Sequence, residues 1–164
     1  SDSLEVRNMR TLLSTILLNL FILASGPPAF TADGWETNIT VTARTAEVRL
    51  SLGQRADATD GRDGLYDVPP MAGGEVSASF VHDDGTLWRD IRSTSTGIKT
   101  WTLRVVSSHT DEDVALTWTP QSLPADATAA LVDSETGTRT DMRKNSRYTY
   151  KNTGVRDLSI ELTR

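Results

Sequence analysis

Beyond residue 33 the chain alternates between apolar and polar positions. Residues 35–43 read WETNITVTA, with Trp35, Thr37, Ile39 and Val41 on one side and Asn38, Thr40 and Thr42 on the other. Residues 47–52 repeat the rhythm, setting Val48, Leu50 and Leu52 against Arg49 and Ser51. Successive side chains of an extended backbone point to opposite faces, so a period of two marks a strand with one buried side. The same pattern predicts strands over 76–82, 87–91, 114–118, 129–133, 138–142, 147–151 and 158–162. The clearest covers 99–106, with Trp101, Leu103 and Val105 inward and Thr100, Thr102 and Arg104 outward. Turn chemistry separates the runs: His82-Asp83-Asp84-Gly85, Ser134-Glu135-Thr136-Gly137 and Asn152-Thr153-Gly154. About nine short, regularly spaced strands predict an all-β antiparallel β-sandwich with no helix longer than a turn.

Residues 52–70, LGQRADATDGRDGLYDVPP, break the alternation. The stretch is too polar and glycine-rich for a core strand and too rich in aspartate for a good helix. It reads as a long ordered loop, a kind of segment that tends to carry function. Asp57, Asp60, Asp63 and Asp67 recur every three or four residues. Carboxylates on a glycine-containing loop can converge on a hard cation. Asp60, Asp63 and Asp67, completed by Asp57 and backbone carbonyls, would then be ligands for calcium. The spacing is not that of an EF-hand. The competing reading is that the four side chains cap turns by hydrogen bonds to backbone amides.

The first 32 residues are a separate object. Met9-Arg10 precedes TLLSTILLNLFILA at 11–24. That apolar run has the length of a signal-peptide core and falls short of the about 20 residues that span a bilayer. Ser25-Gly26-Pro27-Pro28 stops a helix, and Ala29-Phe30-Thr31-Ala32 offers small residues for cleavage after Ala32. The expected organisation is a signal peptide with an upstream extension over 1–32 and a β-sandwich over 33–164. Met9 reads as the initiator. An uncleaved anchor is the alternative, and would be the chain's only contact with a membrane. No cysteine is present, which excludes a lipoprotein anchor, a disulfide and a thiolate zinc site.

Charge narrows the partners. With 22 acidic and 17 basic residues the net charge is -5 and the basic residues are scattered, which argues against nucleic acid. Residues 1–32 carry Asp2, Glu5, Arg7 and Arg10, so their removal leaves the balance unchanged.

Candidate chemistry outside the aspartate loop is thin. His82 and His109, the two histidines, each sit beside acidic turn residues and read as solvated. No GxSxG elbow or Ser-His-Asp arrangement is visible. Trp101 and Trp118 fall on inward faces and are expected in the core. Trp35, Trp88, Tyr148 and Tyr150 are freer to form a sugar-stacking platform, so a carbohydrate-binding module is the alternative function.

Around the loop the chain resembles a domain of secreted, multi-domain bacterial surface proteins, often found beside dockerin modules or C-terminal sorting segments. The matching residues are Leu52-Gly53, Ala58-Thr59-Asp60-Gly61, Asp63, Asp67 and Pro69-Pro70. Further on, Trp88-Arg89-Asp90-Ile91-Arg92, Leu116-Thr117-Trp118, Leu123-Pro124, Leu131-Val132-Asp133, Thr136-Gly137, Asp141-Met142-Arg143 and Tyr148 with Tyr150 also fit. The resemblance covers most of 46–163 and implies an immunoglobulin-like sandwich with a surface role and no catalysis. No dockerin or sorting segment follows the sandwich here, so the expectation is a domain standing alone behind its leader. The expected function is a secreted, non-enzymatic structural or protein-interaction module, extracellular or at the cell surface. Its partner would be an extracellular protein or glycan. Self-assembly by strand addition is a further expectation, with residues 33–43 as the donor.

Overall fold

The computed structural model describes residues 34–70 and 74–164. The expected leader at 1–32, and Asp33 after it, lie outside the described residues. The described chain folds as eleven strands and one 3₁₀ turn, Pro120–Ser122. In order they are β1 (Gly34–Ala43), β2 (Ala46–Arg55), β3 (Val76–His82), β4 (Gly85–Leu87), β5 (Arg89–Ser93) and β6 (Ile98–Ser107). Then come β7 (Asp113–Trp118), β8 (Thr128–Asp133), β9 (Arg139–Asp141), β10 (Arg147–Lys151) and β11 (Val155–Thr163).

Two sheets result, ordered β10-β7-β1-β2-β5 and β4-β3-β6-β11-β8-β9. Their inner faces share one core, in which Ile39, Leu50 and Leu116 of the first sheet meet Phe80, Trp101 and Leu158 of the second. The sequence rhythm causes this. β6 alternates strictly between exposed and buried positions, so one apolar stripe leaves water while the threonines opposite stay wet. Full burial of a large apolar side chain is worth about 1.5–3 kcal/mol, and Trp101 and Phe80 are both wholly buried. The all-β, two-sheet architecture is therefore as expected.

Four features differ from the sequence expectation. The sheets are not purely antiparallel: β2 and β5 run parallel, from Ser51 opposite Arg89 to Arg55 opposite Ser93. Between them the chain crosses to the second sheet, forms β3 and β4, and returns in its original direction, which is what a parallel neighbour requires. Residues 87–91 accordingly are two strands, not one. Leu87 ends β4 and Arg89 opens β5, with Trp88 as the crossing residue. That split adds a strand, and the strand expected over 138–142 shortens to β9.

The aspartate loop starts later than the composition implies. β2 continues through Leu52, Gly53, Gln54 and Arg55, paired with Thr37, Glu36, Trp35 and Gly34. Gly53 stays in the strand because nothing larger fits: a Cβ there would stand 2.2 Å from the Trp35 carbonyl oxygen and 3.1 Å from Ile91 Cδ1. Finally, the proposed donor segment is not a loose end. β1 pairs with β2 along its whole length and with β7 over Ile39 to Ala43, in the middle of its own sheet.

Candidate functional site

β5 is an edge strand, and an edge leaves a row of unpaired backbone groups that invites another strand. In the parallel register with β2, Arg89, Ile91 and Ser93 turn their N–H groups away from the sheet. The aspartate loop meets all three. Arg89 N–H donates to the Val68 carbonyl at 3.4 Å, and Val68 N–H returns a bond to Arg89 O at 3.1 Å. Ile91 N–H donates to Asp67 Oδ1 at 3.0 Å, and Ser93 N–H to Asp60 Oδ1 at 3.2 Å. Two carboxylates thus stand where the carbonyls of a neighbouring strand would stand.

The remaining aspartate bonds shape the loop itself. Asp67 Oδ2 accepts from Asp63 N–H at 2.5 Å, and Asp63 Oδ2 accepts from Thr59 N–H at 2.5 Å, both four residues back. Asp57 accepts the phenol hydrogen of Tyr66, which raises that phenol's pKa. Arg89 clamps the loop's far side, donating to Tyr66 O at 2.6 Å and through Nε and Nη2 to both oxygens of Glu36 at 2.8 and 2.7 Å. Ile91 and Ala58 are buried here, apart from the main core cluster.

Asp60 also ties the loop to the second sheet. Its Oδ2 accepts from Lys99 Nζ at 2.5 Å, and its Oδ1 accepts from Ser93 Oγ at 2.7 Å. Lys99 donates further to Ser95 Oγ at 2.7 Å and Ser93 Oγ at 3.1 Å. Burial acts to raise the Asp60 pKa. The bonds from Lys99 and Ser93, with the lysine charge, outweigh it and hold the carboxyl below its ordinary range.

The structure therefore places Asp57, Asp60, Asp63 and Asp67 in one loop, but with four different partners. Among the described residues no group of three or more His, Asp or Glu is placed to hold a metal ion. Asp60, Asp63 and Asp67 accept from backbone N–H groups of the loop and of β5, whereas Asp57 is engaged by the Tyr66 hydroxyl.

The histidines are not solvated turn residues. His82 is mostly buried, its Nε2 2.7 Å from Asp90 Oδ2, and Arg92 Nη2 lies 3.1 Å from the same oxygen. Asp90 is wholly buried, an acidic residue carried inward by the strand's alternation after Trp88 shifts its phase. His109 faces Glu75 at 3.5 Å, across from the turn acids beside it in sequence. Trp101 and Trp118 are core, as expected. Trp35 and Trp88 are partly buried against that core, and Trp35 donates to Gln54 Oε1 at 2.8 Å. Tyr148 and Tyr150 point inward and do not form an exposed platform. Tyr148 Oη donates to buried Asp133 Oδ2 at 2.6 Å, and Arg156 stacks 4.7 Å from the Tyr150 ring centroid. The loop aspartates line neither of two surface grooves, one of about 510 Å³ between β2 and β3 and one of about 270 Å³ beside β8 and β9. Comparison with known protein families, curated proteins and solved structures returns no match.

Proposed function

We propose that this domain is a non-enzymatic β-sandwich of immunoglobulin-like type, exported and held outside the cell, where it acts as a structural or protein-interaction module. The observation that supports this reading is the capping of β5 by Asp60 and Asp67. The most chemically suggestive stretch of the sequence directs its carboxylates at its own backbone, closing one sheet edge against unspecific pairing. That is the behaviour of a rigid building block whose contacts are confined to chosen surfaces. The crossing of the chain between sheets at Trp88 supports the immunoglobulin-like reading, and the apolar run at 11–24 supports export.

The test is expression of the full chain with a C-terminal tag in a secreting host, followed by N-terminal sequencing of the extracellular product and titration against soluble and insoluble glycans. The reading expects a secreted product beginning at Asp33 that ignores glycans. A product retained in the cytoplasm, or saturable glycan binding, would overturn it in favour of an internal protein or a carbohydrate-binding module.

A further inference from the structure

One sheet edge is treated differently from β5. β4 has three residues and pairs only with Phe80, Val81 and His82 of β3. Beyond Leu87 the chain leaves that sheet, so Val76 to Ser79 have no strand beside them on the β4 side among the described residues. The two-residue turn after His82 sets the phase. His82 and Phe80 face β4, so Ala78 and Val76 direct their N–H and C=O groups to the same, uncovered side. Among the described residues the facing sheet is open at the same place. β5 covers β2 only from Ser51 to Arg55. In the β1–β2 hairpin Ala46, Val48 and Leu50 face β1, which leaves the backbone groups of Glu47 and Arg49 pointing outward.

Two open edges therefore border one mouth of the sandwich, and the groove of about 510 Å³ lies between them. Val48, Ala78 and Trp88 give it an apolar floor, and among the described residues its only charged lining residues are Glu47 and Glu75. Their side chains are about half exposed, with Arg49 3.7 Å from one and His109 3.5 Å from the other.

We propose that this mouth is the docking site of the interaction module: it takes an extended, basic peptide segment of a partner protein, which adds as a strand to β3 at Val76 and Ala78. Backbone bonds to β3 supply the affinity, small apolar side chains enter the groove at alternate positions, and basic side chains between them meet Glu47 and Glu75. Four added residues span about 13 Å, the length of the uncovered part of β3. The inference rests on the non-enzymatic interaction reading above and gives it a place.

The probe is a blocked hexapeptide of alternating lysine and valine, titrated into the full chain while amide hydrogen exchange is followed by NMR. The expected result is that the Val76 and Ala78 amides exchange fast in the free protein and slow at least tenfold with peptide. The Glu47→Lys/Glu75→Lys variant, altered only at the surface, should bind at least tenfold more weakly, and a glutamate-valine peptide should not bind. Protection at another edge, indifference to the charge reversal, or protection of Val76 and Ala78 that rises with protein concentration in the absence of peptide would overturn the proposal. In those cases the interaction reading stands; saturable glycan binding at the same groove would overturn both.

Discussion

Lys99 Nζ lies 2.5 Å from Asp60 Oδ2, joining the inward end of β6 in one sheet to the loop that closes the edge of the other. The two partners are unequally buried: the Lys99 side chain is 8% exposed and that of Asp60 54%. Removing the carboxylate strands a buried ammonium, whereas removing the lysine leaves a carboxylate that water can reach. Asp60→Asn should therefore cost about 2 kcal/mol, below the roughly 3–5 kcal/mol of a fully buried pair because Asp60 is partly screened. Lys99→Met, which fills the same space, should cost less. Urea unfolding of both variants checks the order, and an equal or reversed cost would refute it.

The same pair gives a pH dependence. The Asp60 carboxyl titrates lower in the folded chain than its ordinary value, because bonds from Lys99 and Ser93 outweigh the opposing effect of burial. A depressed folded value means the contribution is complete above the unfolded value of about 3.9 and is lost as pH falls below it. Unfolding free energy measured from pH 6 down to pH 2 should fall more shallowly in Asp60→Asn than in the parent. Parallel curves would show that Asp60 does not contribute.

Asp67 holds two amides at once, Ile91 N–H at 3.0 Å and Asp63 N–H at 2.5 Å. Asp67→Ala leaves both without that acceptor, the Ile91 amide in a buried place, and a stranded buried donor costs about 1–3 kcal/mol. Ile91 exchange should accelerate more than that of core amides such as Leu103. Because Asp60, Asp63 and Asp67 are already engaged by backbone or lysine, capping needs no cation, and EDTA should leave the melting temperature unchanged. A drop on EDTA that calcium reverses would mean that the carboxylates release their amides for a metal.

Gly53 is a tight point beneath the loop. A methyl at its Cα would press on the Trp35 carbonyl oxygen at 2.2 Å, and that oxygen belongs to a paired strand that cannot swing aside. Gly53→Ala should lose about 3 kcal/mol or more, at or beyond the upper range for overpacking. Gly64→Ala, with no atom within 4 Å of the added carbon, serves as the control. Loss of near-UV circular dichroism in the first and not in the second is the expected readout.

Alternation carried the strand positions well, since the apolar inward residues of β1, β2, β6 and β7 all belong to the core or pack against it. It also carried a clue to the loop. Lys99 shares its face with Trp101, Leu103 and Val105, and a lysine on that stripe demands an anion inside. What alternation could not supply is partnership across the chain. Asp60 and Ser93 are 33 residues apart and meet only because β2 and β5 run parallel, a relation set by the crossing at Trp88. Asp90 escaped notice for the same reason: the break at Trp88 splits 87–91 between two sheets, so a single-strand reading misjudges which way its side chains point.

Tyr148 and Tyr150 share one strand face, yet their hydroxyls should behave oppositely. Tyr148 Oη donates to the carboxylate of Asp133, which also accepts from Glu135 N–H at 2.9 Å and Thr136 N–H at 3.3 Å. A hydrogen bond to a charged group is worth about 1.5–3 kcal/mol, so Tyr148→Phe should cost about 2 kcal/mol. Burial acts to raise the Asp133 pKa, and the Tyr148 bond is the largest of the contacts that together pull it below the ordinary range. The phenylalanine variant should therefore also lose part of the stability gained above about pH 4. Tyr150 Oη is buried with no hydrogen-bond partner among the described residues, and burial raises its pKa strongly. Its ring still packs under the Arg156 guanidinium, and a phenylalanine would keep that contact. Tyr150→Phe sheds an unmatched polar atom and should be neutral or stabilising by up to about 1 kcal/mol. Thermal unfolding of the two single variants and the double variant decides the matter. A cost for Tyr150→Phe as large as that for Tyr148→Phe would mean that a bound water satisfies the second hydroxyl and that the two tyrosines form one network.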